Sequence, residues 1–151
     1  MFAGLFIILF AVLSLLAIIF LKMQYETANE YYEPTISLSE AVGLSNTEIV
    51  EQLLTQYFEH YKGKPLFNNQ RIKEYKITHV SEVSYVTDGT AFTIGYLIQQ
   101  HFWNEYWEIG GSRHEENGML KKFRYVRLNK EKDQFRLQVM GLELPDRKWQ
   151  K

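Results

Sequence analysis

Cysteine is missing from the chain altogether, which excludes a disulfide framework, a lipid-bearing cysteine and thiolate metal or redox chemistry. A charge excess is missing too. The net charge is −1, which argues against a general nucleic-acid binder. No glycine run forms a phosphate loop, no serine sits in a nucleophile-elbow pattern, and Gly110-Gly111-Ser112 is too slight to stand in for either. A zinc-protease pattern needs two histidines one helical turn apart with a glutamate between them; His101 and His114 have glycines between them, and His114, Glu115 and Glu116 match no ligand spacing. Neither a metal site nor a cofactor nor a catalytic constellation is expected.

The largest absence is of charge at the start. From Phe2 to Leu21 there is no ionisable side chain and a single hydroxyl, Ser14, and at a rise of 1.5 Å per residue the run reaches about 30 Å, the thickness of a bilayer core. A cleaved signal peptide would open on a positive segment, carry a shorter apolar core and end at small residues. None of these is present, since Glu26 stands where a small residue would precede a cleavage at Ala28. The run is read as an uncleaved signal-anchor in the bilayer through residues 2–21, with a buried core helix as the alternative. Lys22 is the lone cation beside it and taken literally keeps the domain cytoplasmic. The habit of short bacterial-looking chains with one N-terminal anchor favours export. The expectation is a single-pass cell-membrane protein with an extracytoplasmic C-terminal domain.

Four segments are expected: an anchor over 1–22, a stalk or linker over 23–44, a globular domain over 45–145 and a tail over 146–151. The stalk mixes Tyr25, Tyr31 and Tyr32 with acids around Pro34; the rings suit either the membrane interface or packing on the domain. A short turn fits Leu38 to Val42.

The clearest local signal is Ser45-Asn46-Thr47-Glu48, a capping box in which serine and glutamate satisfy each other's orphan amides. Ile49, Val50, Leu53, Leu54, Tyr57, Phe58 and Tyr61 then draw one apolar helical stripe, stopped by Gly63 and Pro65. Beyond Asn69 the period changes to two. Tyr75, Ile77, His79, Val83 and Tyr85 are assigned to one strand face, Asp88-Gly89 to a hairpin turn, and Phe92, Ile94, Tyr96 and Ile98 to the buried face of the return strand. A second pairing runs from Leu120 to Leu128 and from Phe135 to Leu144, with Phe135, Leu137 and Val139 buried. The expected class is α+β: an N-terminal transmembrane helix, then one helix packed on an antiparallel sheet of about four strands.

With this element order, and with Glu116-Asn117-Gly118-Met119-Leu120-Lys121-Lys122-Phe123-Arg124-Tyr125-Val126, the chain resembles the cystatin-like or nuclear-transport-factor-2-like α+β rolls that occur as small, uncharacterised anchored domains of Gram-positive bacteria. The resemblance implies a curved sheet wrapped on a helix. It carries no catalytic residues across, because such rolls serve many functions.

Candidate binding residues cluster in and beside the connection from Gln99 to Gly118, long for a link between strands. They are Tyr96, His101, Trp103, Trp107, Arg113 and Arg124; alternatively the aromatic residues of this stretch complete the core. A pocket between helix and sheet would draw on Tyr57, Tyr61 and His79, although His79 also suits a hydrogen-bonded core position and His60 a cap at the helix end. Lys121, Lys122, Arg124 and Arg127 form a basic stripe, suited to anionic headgroups, cell-wall polymer or RNA, or simply to a solvated strand face.

The functional expectation is a non-catalytic accessory domain that binds an envelope protein, peptide or polymer, with no specific nucleic-acid partner. The alternative is a small-ligand sensor or enzyme with a pocket inside the roll.

Overall fold

The computed structural model describes residues 2–28, 31–65, 68–86, 89–100, 106–108, 113–114 and 117–139. The apolar run lies within α1 (Phe2–Ala28). Its stretch Gly4–Met23 is long and apolar enough to cross a membrane, and none of it is buried within the structure.

The helix α2 (Asn46–Lys62) begins where the capping box requires: Ser45 Oγ accepts from the Glu48 amide at 3.3 Å, and the Ser45 amide donates to Glu48 Oε2 at 2.7 Å. All seven residues of the expected stripe are buried, from Ile49 to Tyr61. Burying each large apolar side chain contributes about 1.5–3 kcal/mol, so this face, far more than intrinsic propensity, holds α2 to the sheet.

The strands are β1 (Thr35–Ser37), β2 (Ile72–Val86), β3 (Gly89–Gln100), β4 (Arg113–His114), β5 (Leu120–Lys130) and β6 (Gln134–Val139), with a 3₁₀ turn at Tyr106–Glu108. They form one sheet in the order β1-β6-β5-β3-β2, with β4 paired to β5 off that path, and every pairing is antiparallel. The α+β class with a helix on one sheet face is therefore as expected, and β1 adds a fifth principal strand. Against α2 lie Ile72, Phe92, Ile94, Tyr96, Ile98, Leu120, Val126, Leu128 and Leu137, all buried.

The extra strand comes from the stretch read as stalk. Thr35, Ile36 and Ser37 pair with Arg136, Phe135 and Gln134, and the Leu137 amide donates to the Pro34 carbonyl at 3.0 Å. Tyr31 donates its hydroxyl to the Val139 carbonyl at 2.8 Å, while the ring of Tyr32 stacks on His60 with centroids 3.9 Å apart. These two tyrosines pack on the domain. Glu33 meets Arg136 at 3.4 Å, so the fold gathers in the chain from Tyr31 onward. The expected turn follows, with the Ala41 amide bonded to the Ser37 carbonyl at 3.1 Å.

One assigned strand face needs correction. The β2–β3 register shifts between Ile77 and His79, where Thr78 is the extra residue, and again around Lys73 and Val83. Each bulge reverses the alternation and increases local twist, so Tyr75, Ile77 and Val80 pack on the core. His79 and Val83 are exposed on the other side. Strict alternation fails here because an insertion in one strand is invisible without its partner.

Candidate functional site

The aromatic end of α2 and the sheet do not close completely on each other. They leave a cleft of about 270 Å³ lined by Tyr57 and Tyr61 from α2, Tyr96 from β3, Lys122 and Arg124 from β5, and Tyr106 and Trp107 from the 3₁₀ turn, with Tyr31 and Val139 at its edge. Each lining residue has a local cause. Tyr57 and Tyr61 are one helical turn apart on the same stripe, their rings edge to face at 4.8 Å. Tyr96 and Lys122 are direct cross-strand partners on the face toward α2. Arg124, two residues further along β5, shares that face.

Trp107 sets one wall. It is buried, its indole nitrogen donates to the Gln70 carbonyl at 2.9 Å, and its ring meets Tyr61 edge on at 5.2 Å and Tyr106 at 5.3 Å. Tyr106 and Tyr31 are exposed at the rim.

Among the described lining residues the formal charges are those of Lys122 and Arg124. Lys122 is only 2% exposed, and Arg124 hydrogen-bonds the Tyr96 hydroxyl; both cations are engaged by neighbours within the fold. Among the described residues, no carboxylate lines the cleft. Burial pushes the Tyr96 hydroxyl up to about 12, against the pull of the Arg124 charge and hydrogen bond. Burial also raises Tyr57, reinforced by Tyr61 and Tyr96, and raises Tyr31, reinforced by Glu33. These phenols stay protonated at ordinary pH, able to donate and accept hydrogen bonds but far from the pKa that a general base needs.

The structure thus gathers Tyr57, Tyr61, Tyr96, Trp107 and Arg124, taken from both sequence-based proposals, into one site. It separates His79 from them. His79 borders a different hollow, on the sheet face away from α2, of about 400 Å³ with Thr93, Phe123, Arg124 and Tyr125. His101 and Trp103 lie outside the described residues; Arg113 lies in β4, its backbone paired with Lys121. Lys122 is a lining residue that sequence pattern alone did not single out. Taken as part of a basic stripe, it in fact points opposite to Lys121, and strand alternation with Leu120 and Val126 was the available signal. Tyr31 was missed because its place depends on β1.

Among the described residues, no three His, Asp or Glu side chains are grouped so as to hold a metal ion. Compared with protein-family models, curated proteins and solved structures, the chain matches none.

Proposed function

We propose that the chain is a single-pass membrane protein whose domain, a roll of the cystatin-like or nuclear-transport-factor-2-like kind, is an accessory binding module that captures an anionic group in the tyrosine cleft. The observation that carries this reading is the placement of buried Lys122 opposite Tyr96 at the base of an aromatic cleft. Cations held in a partly desolvated cleft attract anions far more strongly than the same charges on an open surface, and Arg124 offers a planar fork for a carboxylate or phosphate. The rings that line the cleft favour an apolar or sugar-like body behind the charge. At about 270 Å³ the cleft falls just under the ~300–1,000 Å³ of drug-sized sites, which suits a small group at the end of a larger envelope molecule. The raised phenols favour recognition over acid–base catalysis.

The domain is read as extracytoplasmic, held by residues 2–21. Protease treatment of intact protoplasts tests this: cleavage of the domain without lysis supports it, and full protection refutes it.

The cleft is tested with full-length chain in detergent micelles, carrying Trp103→Phe and Trp149→Phe so that Trp107 alone reports. Glycerol 3-phosphate and benzoate should shift its emission saturably, whereas glycerol and benzamide should not. Loss of the shift in Lys122→Met and Arg124→Leu is expected. Equal responses to charged and neutral probes, or none to any, would refute the reading.

A further inference from the structure

The position of Tyr31 bears on the source of such an anion. The candidate membrane span ends at Met23 and α1 continues to Ala28, five residues that add about 8 Å. From Ala28 to Tyr31 the chain can reach at most about 11 Å. Tyr31 therefore lies within about 19 Å of the edge of the hydrocarbon, an upper bound to set against a headgroup layer of about 5–8 Å on each side.

Tyr31 is also the lip of the cleft, and it is fastened there. Its hydroxyl holds the Val139 carbonyl, Tyr32 stacks on His60, Glu33 pairs with Arg136 and Pro34 accepts from Leu137. With four successive residues docked, the mouth of the cleft cannot swing away from the point at which the tether arrives. Its exposed rim rings, Tyr31 and Tyr106, are of the amphipathic kind favoured at headgroup level.

We propose that the cleft takes the phosphate-bearing headgroup of an anionic lipid of the same membrane, entering past Tyr31 to meet Lys122 and Arg124. This rests on the anion-binding reading above and adds its source. The chemistry recognised is a phosphate ester. A soluble phosphate ester has that chemistry too, but the short tether keeps the mouth within about 19 Å of the hydrocarbon edge, beside the layer in which lipid phosphates are concentrated, an effective-concentration advantage that solution ligands lack.

The test uses full-length chain in nanodiscs of phosphatidylcholine, alone or mixed with phosphatidylglycerol, with a benzophenone side chain replacing rim residue Tyr106 and Trp107 emission as a second readout. Crosslinking to lipid and an emission shift are expected only with phosphatidylglycerol, and both should be lost in Lys122→Met and Arg124→Leu. The deciding variant leaves the cleft intact: a flexible Gly/Ser insertion of about 20 residues between Asn29 and Glu30 should lower lipid crosslinking by about tenfold while leaving the response to soluble glycerol 3-phosphate unchanged. Equal signals in the two lipids, or full crosslinking with the lengthened tether, would overturn the lipid source. If glycerol 3-phosphate still binds in that case, the anion-binding cleft stands; if neither probe acts, both readings fall.

Discussion

The indole nitrogen of Trp107 donates a hydrogen bond to the carbonyl oxygen of Gln70 across 2.9 Å, and both residues are buried. This bond ties the 3₁₀ turn after β3 to the loop that follows α2, fixing a wall of the cleft against the residue preceding Arg71 and β2. Trp107→Phe keeps most of the packing but strands a buried carbonyl, and should destabilise the domain by about 1–3 kcal/mol. Trp107→Ala adds a cavity and should cost about 3–5 kcal/mol. Urea unfolding followed by circular dichroism distinguishes them.

The start of α2 should be acid-sensitive. Hydrogen bonds from the Ser45 amide and hydroxyl hold the Glu48 carboxyl below the ordinary value of 4.5. A carboxyl depressed on folding stabilises fully above its unfolded value, and that contribution is lost as pH falls through the lower folded one. The protection of first-turn amides, taken against their intrinsic exchange rate at each pH, should fall below about pH 4.5, and Glu48→Gln should flatten this dependence. Ser45→Ala should cost about 1 kcal/mol at neutral pH.

At the alkaline end the sign reverses. Tyr75 is raised to about 12 by burial and by the bond it donates to Glu59 at 2.9 Å, and Tyr96 is raised to about 12 chiefly by burial. Groups whose neutral form the fold favours keep their contribution below the unfolded value of 10.0 and lose it as pH rises through about 12. Ultraviolet titration should show these phenols ionising late, and Tyr75→Phe and Tyr96→Phe should each remove one late step.

Two glycines of β3 should respond differently to alanine. A Cβ on Gly89 would run into the Leu128 carbonyl oxygen, with Asn129 Oδ1 at 3.1 Å beside it. That oxygen belongs to the paired backbone and has little room to move, so Gly89→Ala should cost about 1–3 kcal/mol. A Cβ on Gly95 would meet Phe123 Cε1 and Thr78 Oγ1 at 3.0 Å. Both are side-chain atoms on the open sheet face, so Gly95→Ala should cost less than about 1 kcal/mol. Thermal melts of the two variants check the order.

Local signals carried most of the fold. Ser45 and Glu48 sit within one turn, and the stripe from Ile49 to Tyr61 repeats at helical spacing, so α2 was legible to its caps. Phe92 to Ile98 alternates without interruption, and β3 was legible for the same reason. β1 was not, because three residues after a proline carry little periodic signal and their partners Gln134 to Arg136 are distant in sequence. Nor was the reversal at Thr78, a property of the β2–β3 pair rather than of β2. The cleft was half legible: its rings were nominated separately, but their convergence required the fold, and Lys122 was visible only if the basic stripe was divided into its two faces.

The hydroxyl bond from Tyr31 to Val139 joins the beginning of the folded unit to the end of its last described strand. A module whose boundaries touch can be relocated within a chain without stretching its host. Leading the chain from its C-terminal end back to 31 with a flexible linker and opening the β5–β6 turn near Lys132 gives a circular permutant that retains α2 and the β2–β3–β5 centre of the sheet. Evolution has the same freedom: such a unit could be set at the foot of any tether, or between two others, and keep its shape.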